Sequence, residues 1–281
     1  MNNNFARYSI LLSMIMSSSL LAGRNSHDYQ EIECTIVEID KKEMTCSHPH
    51  IPGPRSARVP SGQTTSTNWS GYAAASKLSK PKKNSVSAVS GSWIVPTIVP
   101  TETDAYSSLW VGIDGYGSPT VEQIGTEHDS IGGVQQDYAW FEMYPGGSYL
   151  INGFPLNPGD VISASVIYTG NNTFVMTLMN DTQKVSYTIP TRYTKSSTAL
   201  RESAEWIIEA PYLDRILPLS DFVTAYMWGC MATINGVTAP IGNNSWQNIG
   251  IEMVTTNSAP KDLTSALLPD KGSFFVTWQQ Q

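Results

Sequence analysis

The chain has 281 residues, 41% of them hydrophobic and only 15% charged, with a formal net charge of −7. That length can bury one large core or two small ones, and the acidic balance argues against a nucleic-acid partner, which needs a basic face. From Pro60 onward there are eleven Lys and Arg, four of them (Lys77, Lys80, Lys82 and Lys83) in one polar stretch. Few cations means few ion pairs for acid to break, which fits an acidic environment.

The N-terminus reads MNNNFARYSILLSMIMSSSLLAG. Arg7 and the amino terminus form a positive head, and residues 8–22 form an apolar stretch too short and too rich in serine for a membrane span. Residues 1–23 are therefore read as a secretory signal peptide. The expected product is secreted, with no stable membrane association once the signal is cut. Residues 24–60 hold three of the four histidines and two of the three cysteines, and end in PHIPGPRSARVP. They are expected to form a pro-segment and linker, with Arg55 and Arg58 as exposed processing points. Within them ECTIVEIDKKEMTC resembles a hairpin, so a Cys34–Cys46 bridge is expected after export, with two free thiols as the alternative. Cys230, in AYMWGCMAT, reads as a small buried hydrophobe.

From residue 61 to 281 the pattern is β almost throughout. TNWSGYAAA, SVSAVSGSWIVPT, YSSLWVGIDG and QQDYAWFEMYP come first, followed by VISASVIYTGNNTFVMTLMNDTQKVSYTIP, which holds three strands and two turns. ESAEWIIEAP, DFVTAYMWGCMATI, IGIEMVT and SFFVTWQ complete the series, and TSALL at 264–268 is the one helix candidate. Short strands punctuated by Gly, Pro and Asn predict an all-β antiparallel sandwich. All eight tryptophans follow Pro60, and either a sheet-on-sheet core or a groove would use them. Asn68, Asn171, Asn180 and Asn243 begin Asn-x-Ser/Thr sequons.

ESAEWIIEAP raises the functional question. As a strand it puts Glu205, Ile207 and Glu209 on one face and Ala204, Trp206 and Ile208 on the other. The second set is a core face; the first carries two carboxylates, either solvated or chemical. His128 is the single histidine after Pro60, no GxSxG elbow occurs, and neither HExxH, paired CxxC nor Asp-Thr/Ser-Gly is present. A serine or cysteine triad, a zinc site and a paired-aspartate site therefore lack parts. What remains is carboxylates as acid–base groups and amides as neutral donors. Gln123, after a Gly/Ser/Pro turn, is such an amide. A Gln that stabilises an oxyanion and a Glu that shuttles a proton would suffice for amide hydrolysis.

Six blocks in order, NWSGY (68–72), SGSWIVP (90–96), LWVGIDG (109–115), EQIG (122–125), DYAWFEMYP (137–145) and SAEWIIE (203–209), resemble the glutamic peptidases, the eqolisin family of secreted acid endopeptidases. The resemblance implies two curved antiparallel sheets of concanavalin-like, jelly-roll type, with a substrate groove on the concave face. It implies polypeptide substrates, no cofactor, no metal, and a monomer. By position it makes Gln123 and Glu205 the catalytic pair, with Glu209 as the fallback for Glu205. Trp110, Asp114, Trp140, Glu142, Tyr144 and Trp69 become groove residues. Hydrogen bonds are expected to keep Glu205 partly ionised in moderate acid while Glu142 or Asp114 stays protonated. Glu127 stands where the family often has Asp, and residues 24–59 carry five Lys/Arg against six Asp/Glu, so the segment cannot mask an acidic domain by charge alone. Two other readings suit a tryptophan-rich β-sandwich with paired acids. One is a glycoside hydrolase, with Gln123 a bystander; the other is a sugar-binding module that tolerates Glu205→Gln.

Overall fold

The computed structural model describes residues 30–32, 37–39, 63–193 and 198–281. Alternating apolar residues give strands there, and the described residues contain no helix. One sheet has the order β1(Gln30–Ile32), β12(Val185–Tyr193), β11(Thr173–Asn180), β10(Val161–Gly170), β5(Val86–Ile94), β14(Thr224–Ile234), β18(Phe274–Trp278), β17(Asp262–Thr264). To it β15(Val237–Pro240) adds at β14 and β2(Val37–Ile39) at β12. The other has the order β3(Gln63–Ser66), β16(Gln247–Met253), β4(Trp69–Ala75), β13(Ser203–Glu209), β6(Ser108–Ile113), β7(Val121–Ile131), β8(Val134–Tyr144), β9(Ser148–Leu150). Pairing is antiparallel except where β1 and β2 run along β12 and β3 along β16.

The strand period splits each element between two environments. Val89 and Trp93 of β5 meet Leu109, Val111, Ile124, Phe141, Trp206 and Ile208 of the facing sheet in one large inter-sheet core. Cys230 lies in that core with no disulfide. A polar tie crosses it: Trp93 Nε1 donates to Thr126 Oγ1 at 2.9 Å, Thr126 Oγ1 lies 2.8 Å from His128 Nε2, and His128 Nδ1 lies 2.7 Å from Asp137. In a neutral imidazole the Thr126 proton goes to Nε2, so Nδ1–H donates to Asp137. His128 is thus fully buried and occupied. The second apolar cluster contains residues of the eight-stranded sheet alone, among them Trp69, Ala73, Trp110, Val121, Trp140, Ile207 and Ile249. It marks that sheet's outer face.

One sequence expectation changes, and two further readings are narrowed. TSALL is not a helix: Thr264 ends β17, and Ser265 donates its N–H to Phe275 O and accepts from the Tyr72 hydroxyl. Five residues cannot offset helix nucleation when strand neighbours already hold their backbone. Of the 34–46 hairpin, only β2 falls among the described residues; it pairs in parallel with β12, as β1 does, so these two segments extend a sheet edge. Cys34 and Cys46 lie outside the described residues, as does the signal peptide. Finally, Asn68 and Asn180 are fully buried, which removes their sequons from consideration as glycan acceptors in the folded chain.

Buried carboxylates tie stability to pH. Asp262 accepts from Ser70 Oγ at 2.7 Å and from the Met253 N–H at 3.1 Å, and burial pushes it up to about 7. Burial does the same to Asp129, also to about 7. An unfolded Asp titrates near ~3.9, so the folded chain favours the neutral acids. Stability from those acids is fully present below that value and is lost as pH rises through about 7. Thermal unfolding between pH 4 and 8 should therefore show a midpoint that falls with rising pH. Asp262→Asn, which keeps a neutral acceptor for Met253, should flatten the slope. A midpoint that climbs toward pH 7 would overturn this.

Candidate active site

Strand register assembles the site. Glu205 pairs with Gly112, Gly112 with Gln123, and Gln123 with Glu142, so the four form one row across β13, β6, β7 and β8. All point to the outer face of the eight-stranded sheet, as does the alternation that sends Ala204, Trp206 and Ile208 into the inter-sheet core. Glu205 and Gln123 are two strands apart, about 9–10 Å between backbones. Between them stands a residue without a side chain. A Cβ at Gly112 would come 2.9 Å from Trp110 Cζ3 and 3.2 Å from Gln123 Cβ. Glycine is therefore required, because the Trp110 ring lies over this position between the long polar side chains on either side.

Those side chains are buried yet incompletely satisfied. Glu205 and Glu142 are fully buried and Gln123 is 1% exposed. Gln123 Nε2 donates to Glu142 Oε2 at 2.7 Å, which fixes the amide from behind. The Tyr116 N–H donates to Glu205 Oε1 at 3.3 Å. Gln123 Oε1, Glu205 Oε2 and Glu142 Oε1 have no hydrogen-bond partner. Unsatisfied buried polar atoms cost about 1–3 kcal/mol each, and three in one row indicate a place built for chemistry. Burial raises Glu205 well above the ordinary carboxylate range, with Asp114 adding to the rise, against the lowering effects of the Ser203 hydroxyl and the Tyr116 amide. The expectation that hydrogen bonds hold Glu205 partly ionised in moderate acid is thereby corrected: desolvation outweighs both lowering contributions. Glu142 is likewise raised, by burial and by Glu209, as is Asp114, by burial.

The second acid of the strand has a different post. Glu209 lies in the row Trp69–Glu209–Ser108–Glu127–Tyr138, four residues along from Glu205. Its Oε2 accepts from Trp110 Nε1 at 2.8 Å and its Oε1 from Asn68 Nδ2 at 3.2 Å. Trp110 also packs edge-on against Trp69, with centroids 5.0 Å apart. Glu209 thus holds the ring that leans over Gly112. Glu127 shares this row and is remote from Gln123 in register.

The remaining predicted residues divide. Trp140 lies on the outer face opposite Gly125, where a Cβ would come 2.6 Å from Trp110 Cβ, so Gly125 lets the two tryptophans share the surface. Tyr144 packs against the same cluster, half-buried at the end of β8. Asp114 is a buckle: its Oδ1 accepts from the Glu202 N–H at 2.8 Å, and its Oδ2 from the Arg201 N–H at 2.6 Å and Thr120 Oγ1 at 3.3 Å. That closes the start of β13 onto the loop carrying Tyr116. Sequence reasoning passed over Gly112, Asn68 and the Tyr116 amide. The alternation Trp110-x-Gly112-x-Asp114 could have pointed to Gly112, since a glycine on a functional face marks close approach. Nothing in the sequence pointed to a backbone amide. No group of three or more His, Cys, Asp and Glu able to hold a metal occurs among the described residues.

Comparison with known proteins bears on this geometry. Residues 67–278 match the Peptidase A4 family. Over 109 residues the chain is 37% identical to scytalidopepsin B of Scytalidium lignicola, a stretch that spans 38% of this chain and 40% of that protein. The crystal structure of aspergilloglutamic peptidase from Aspergillus niger superposes with a TM-score of 0.55 at 26% identity, covering 62% of this chain and 99% of that one. Scytalido-glutamic peptidase, crystallised with a transition state analog inhibitor, superposes with a TM-score of 0.64 over 76% of this chain and 98% of that one. At 22% identity that likeness shows a common fold. With 212 consecutive positions of the sandwich matched, from Thr67 to Trp278, the chain belongs to the Peptidase A4 family, the glutamic peptidases or eqolisins.

Proposed function

We propose that the chain is an acid-acting endopeptidase that cuts peptide bonds with Gln123 and Glu205 through a single water, without an acyl-enzyme. The observation that carries this is the row Glu205–Gly112–Gln123, two polar side chains flanking a position without a side chain, each with a buried oxygen lacking a protein partner. Glu205 as carboxylate takes a proton from the attacking water. The Gln123 amide donates to the oxyanion that forms, and the protonated Glu205 gives its proton to the departing nitrogen. The proton count closes, and Glu205 ends as it began. Burial, by raising Glu205, makes its carboxylate a stronger base and keeps its acid form available for the leaving group.

Acid operation follows from the neighbours. Glu142 bonds to Gln123, and burial keeps both it and Asp114 neutral above the ordinary carboxylate range. Ionising Glu142 would put a charge beside a developing oxyanion. A glycoside hydrolase would need a second carboxylate free to act on the same bond. Glu209 is committed to Trp110 and Asn68, and Glu142 lies beyond Gln123, three strands from Glu205 and bonded to the amide, so the amide–carboxylate pair accounts better for the row. We also propose that residues 1–23 direct export and that residues 24–60 are removed, leaving a secreted monomer; the family match beginning at residue 67 supports a boundary near 61.

Glu205→Gln should abolish hydrolysis of unfolded protein while leaving the far-UV spectrum and unfolding midpoint intact. Glu209→Gln should raise KM more than it lowers kcat, because it loosens Trp110 and leaves the base in place. The reverse pattern would move the base to Glu209.

Gln123→Ala should lower kcat by about 10²–10³, the usual loss for one oxyanion donor. Gly112→Ala should lose a similar factor, since a displacement of about 1 Å in a reacting group costs that much. Retention of more than about a tenth of kcat by Gln123→Ala would sink the pair.

Glu142→Gln keeps a neutral partner for Gln123, so the fall of kcat/KM toward neutral pH should move to higher pH. A profile identical to the parent would mean that another group sets that limb.

A further inference from the structure

The polar row does not end at Glu142. β9, the short edge strand of the eight-stranded sheet, sets Ser148 directly opposite Glu142 in register. On the same strand Tyr149 stacks on Phe141 of the inter-sheet core, with centroids 5.2 Å apart. Alternation therefore turns Ser148 to the outer face, beside Glu142. Its side chain is fully buried, and its Oγ has no hydrogen-bond partner. Glu142 Oε1, the oxygen that does not meet Gln123, has none either. Residues directly opposite on paired strands have Cβ atoms about 4.5–5.5 Å apart, so one small polar group can reach both.

Two unsatisfied buried groups side by side lower stability, and neither takes part in the proposed proton transfers. Burial raises Glu142 well above the ordinary carboxylate range, so in acid that carboxyl carries a proton. Its Oε2 accepts from the Gln123 amide, which leaves the O–H on Oε1 as a donor. Ser148 adds a hydroxyl, which both donates and accepts. A peptide unit, with one C=O and one N–H, matches that set, whereas an aliphatic side chain would leave both groups unsatisfied. The row crosses the strands at about 4.8 Å per step, so the pair lies about 12 Å from the Gly112 position. An extended chain, at about 3.3 Å per residue, covers that distance in about three to four residues.

We infer that Ser148 is a substrate-positioning residue: with Glu142 Oε1 it binds one main-chain peptide unit of an extended polypeptide, about three to four residues from the bond to be cut. This role rests on the peptidase reading and adds to it a docking point for main chain, indifferent to side-chain identity. Binding energy gained there is remote from the reacting atoms, so it should appear as a preference for longer substrates.

Capped peptides that share one cleavable core, extended stepwise with alanines at either end, test this. In the parent chain kcat/KM should step up at one length, and at one end only. In Ser148→Ala that step should shrink by about 3–10-fold, the usual contribution of one hydrogen bond. Replacing the amide at the step position with an ester should cost the parent a similar factor and Ser148→Ala little. No step at any length, or a full step in Ser148→Ala, would overturn the role. So would an equal loss by that variant on the shortest and longest peptides, which a merely structural serine would produce. Only ratios between peptides are compared, so a wrong Glu205 assignment shows separately, as turnover by Glu205→Gln. No cleavage of any peptide by the parent would end the peptidase reading and this role with it.

Discussion

The constraint on which the site depends is the register of β13, β6 and β7, which puts a glycine between a glutamate and a glutamine. Neighbouring strands sit about 4.8 Å apart, too close for three full side chains in one row once the Trp110 ring lies over the middle one. Gly112 resolves this by contributing no atoms, and Trp110 leans over the same spot to within 2.9 Å of where a Cβ would be. A slip of one residue in β6 would bring Val111 or Ile113 into the row and send Trp110 into the inter-sheet core. The two clusters make such a slip expensive, because each strand is apolar on one face and committed on the other.

Around that row the sheet supports its groups from behind. Glu142 holds Gln123, the Tyr116 amide meets Glu205, Glu209 and Asn68 hold Trp110, and Asp114 ties the start of β13 to the loop that carries Tyr116. These contacts commit the fallback acid and the buckle aspartate to structure, while Glu205 and Gln123 each keep an oxygen in reserve. Preorganisation of this kind is what lets a neutral amide act on a developing charge.

The same burial governs stability and chemistry. Asp129, Asp262, Asp114, Glu142 and Glu205 are all raised by desolvation. In a chain with eleven Lys and Arg after Pro60, proton uptake is the cheapest way to bury so many carboxyl groups. An environment acidic enough to keep Asp129, Asp262, Asp114 and Glu142 neutral preserves the packing and the proposed oxyanion site together, while the proposed mechanism needs a share of Glu205 ionised.

The sequence by itself determined the strand content, the two faces of SAEWIIE and the pairing of Gln123 with Glu205 as the groups most worth testing. Those are local properties: period-two alternation, the absence of other acid–base groups, and six ordered blocks. It also misassigned TSALL, because a short apolar run carries no signal of the strand beside it. Tertiary structure alone decided that Glu205 and not Glu209 shares a row with Gln123, that Glu209 serves Trp110, and that the tryptophans divide between core and site. It alone showed that Gly112 makes room for the Trp110 ring between Glu205 and Gln123, and that burial outweighs hydrogen bonding at Glu205. Each of these turns on which residue of a distant strand lies opposite, and register across strands is fixed by packing both faces at once.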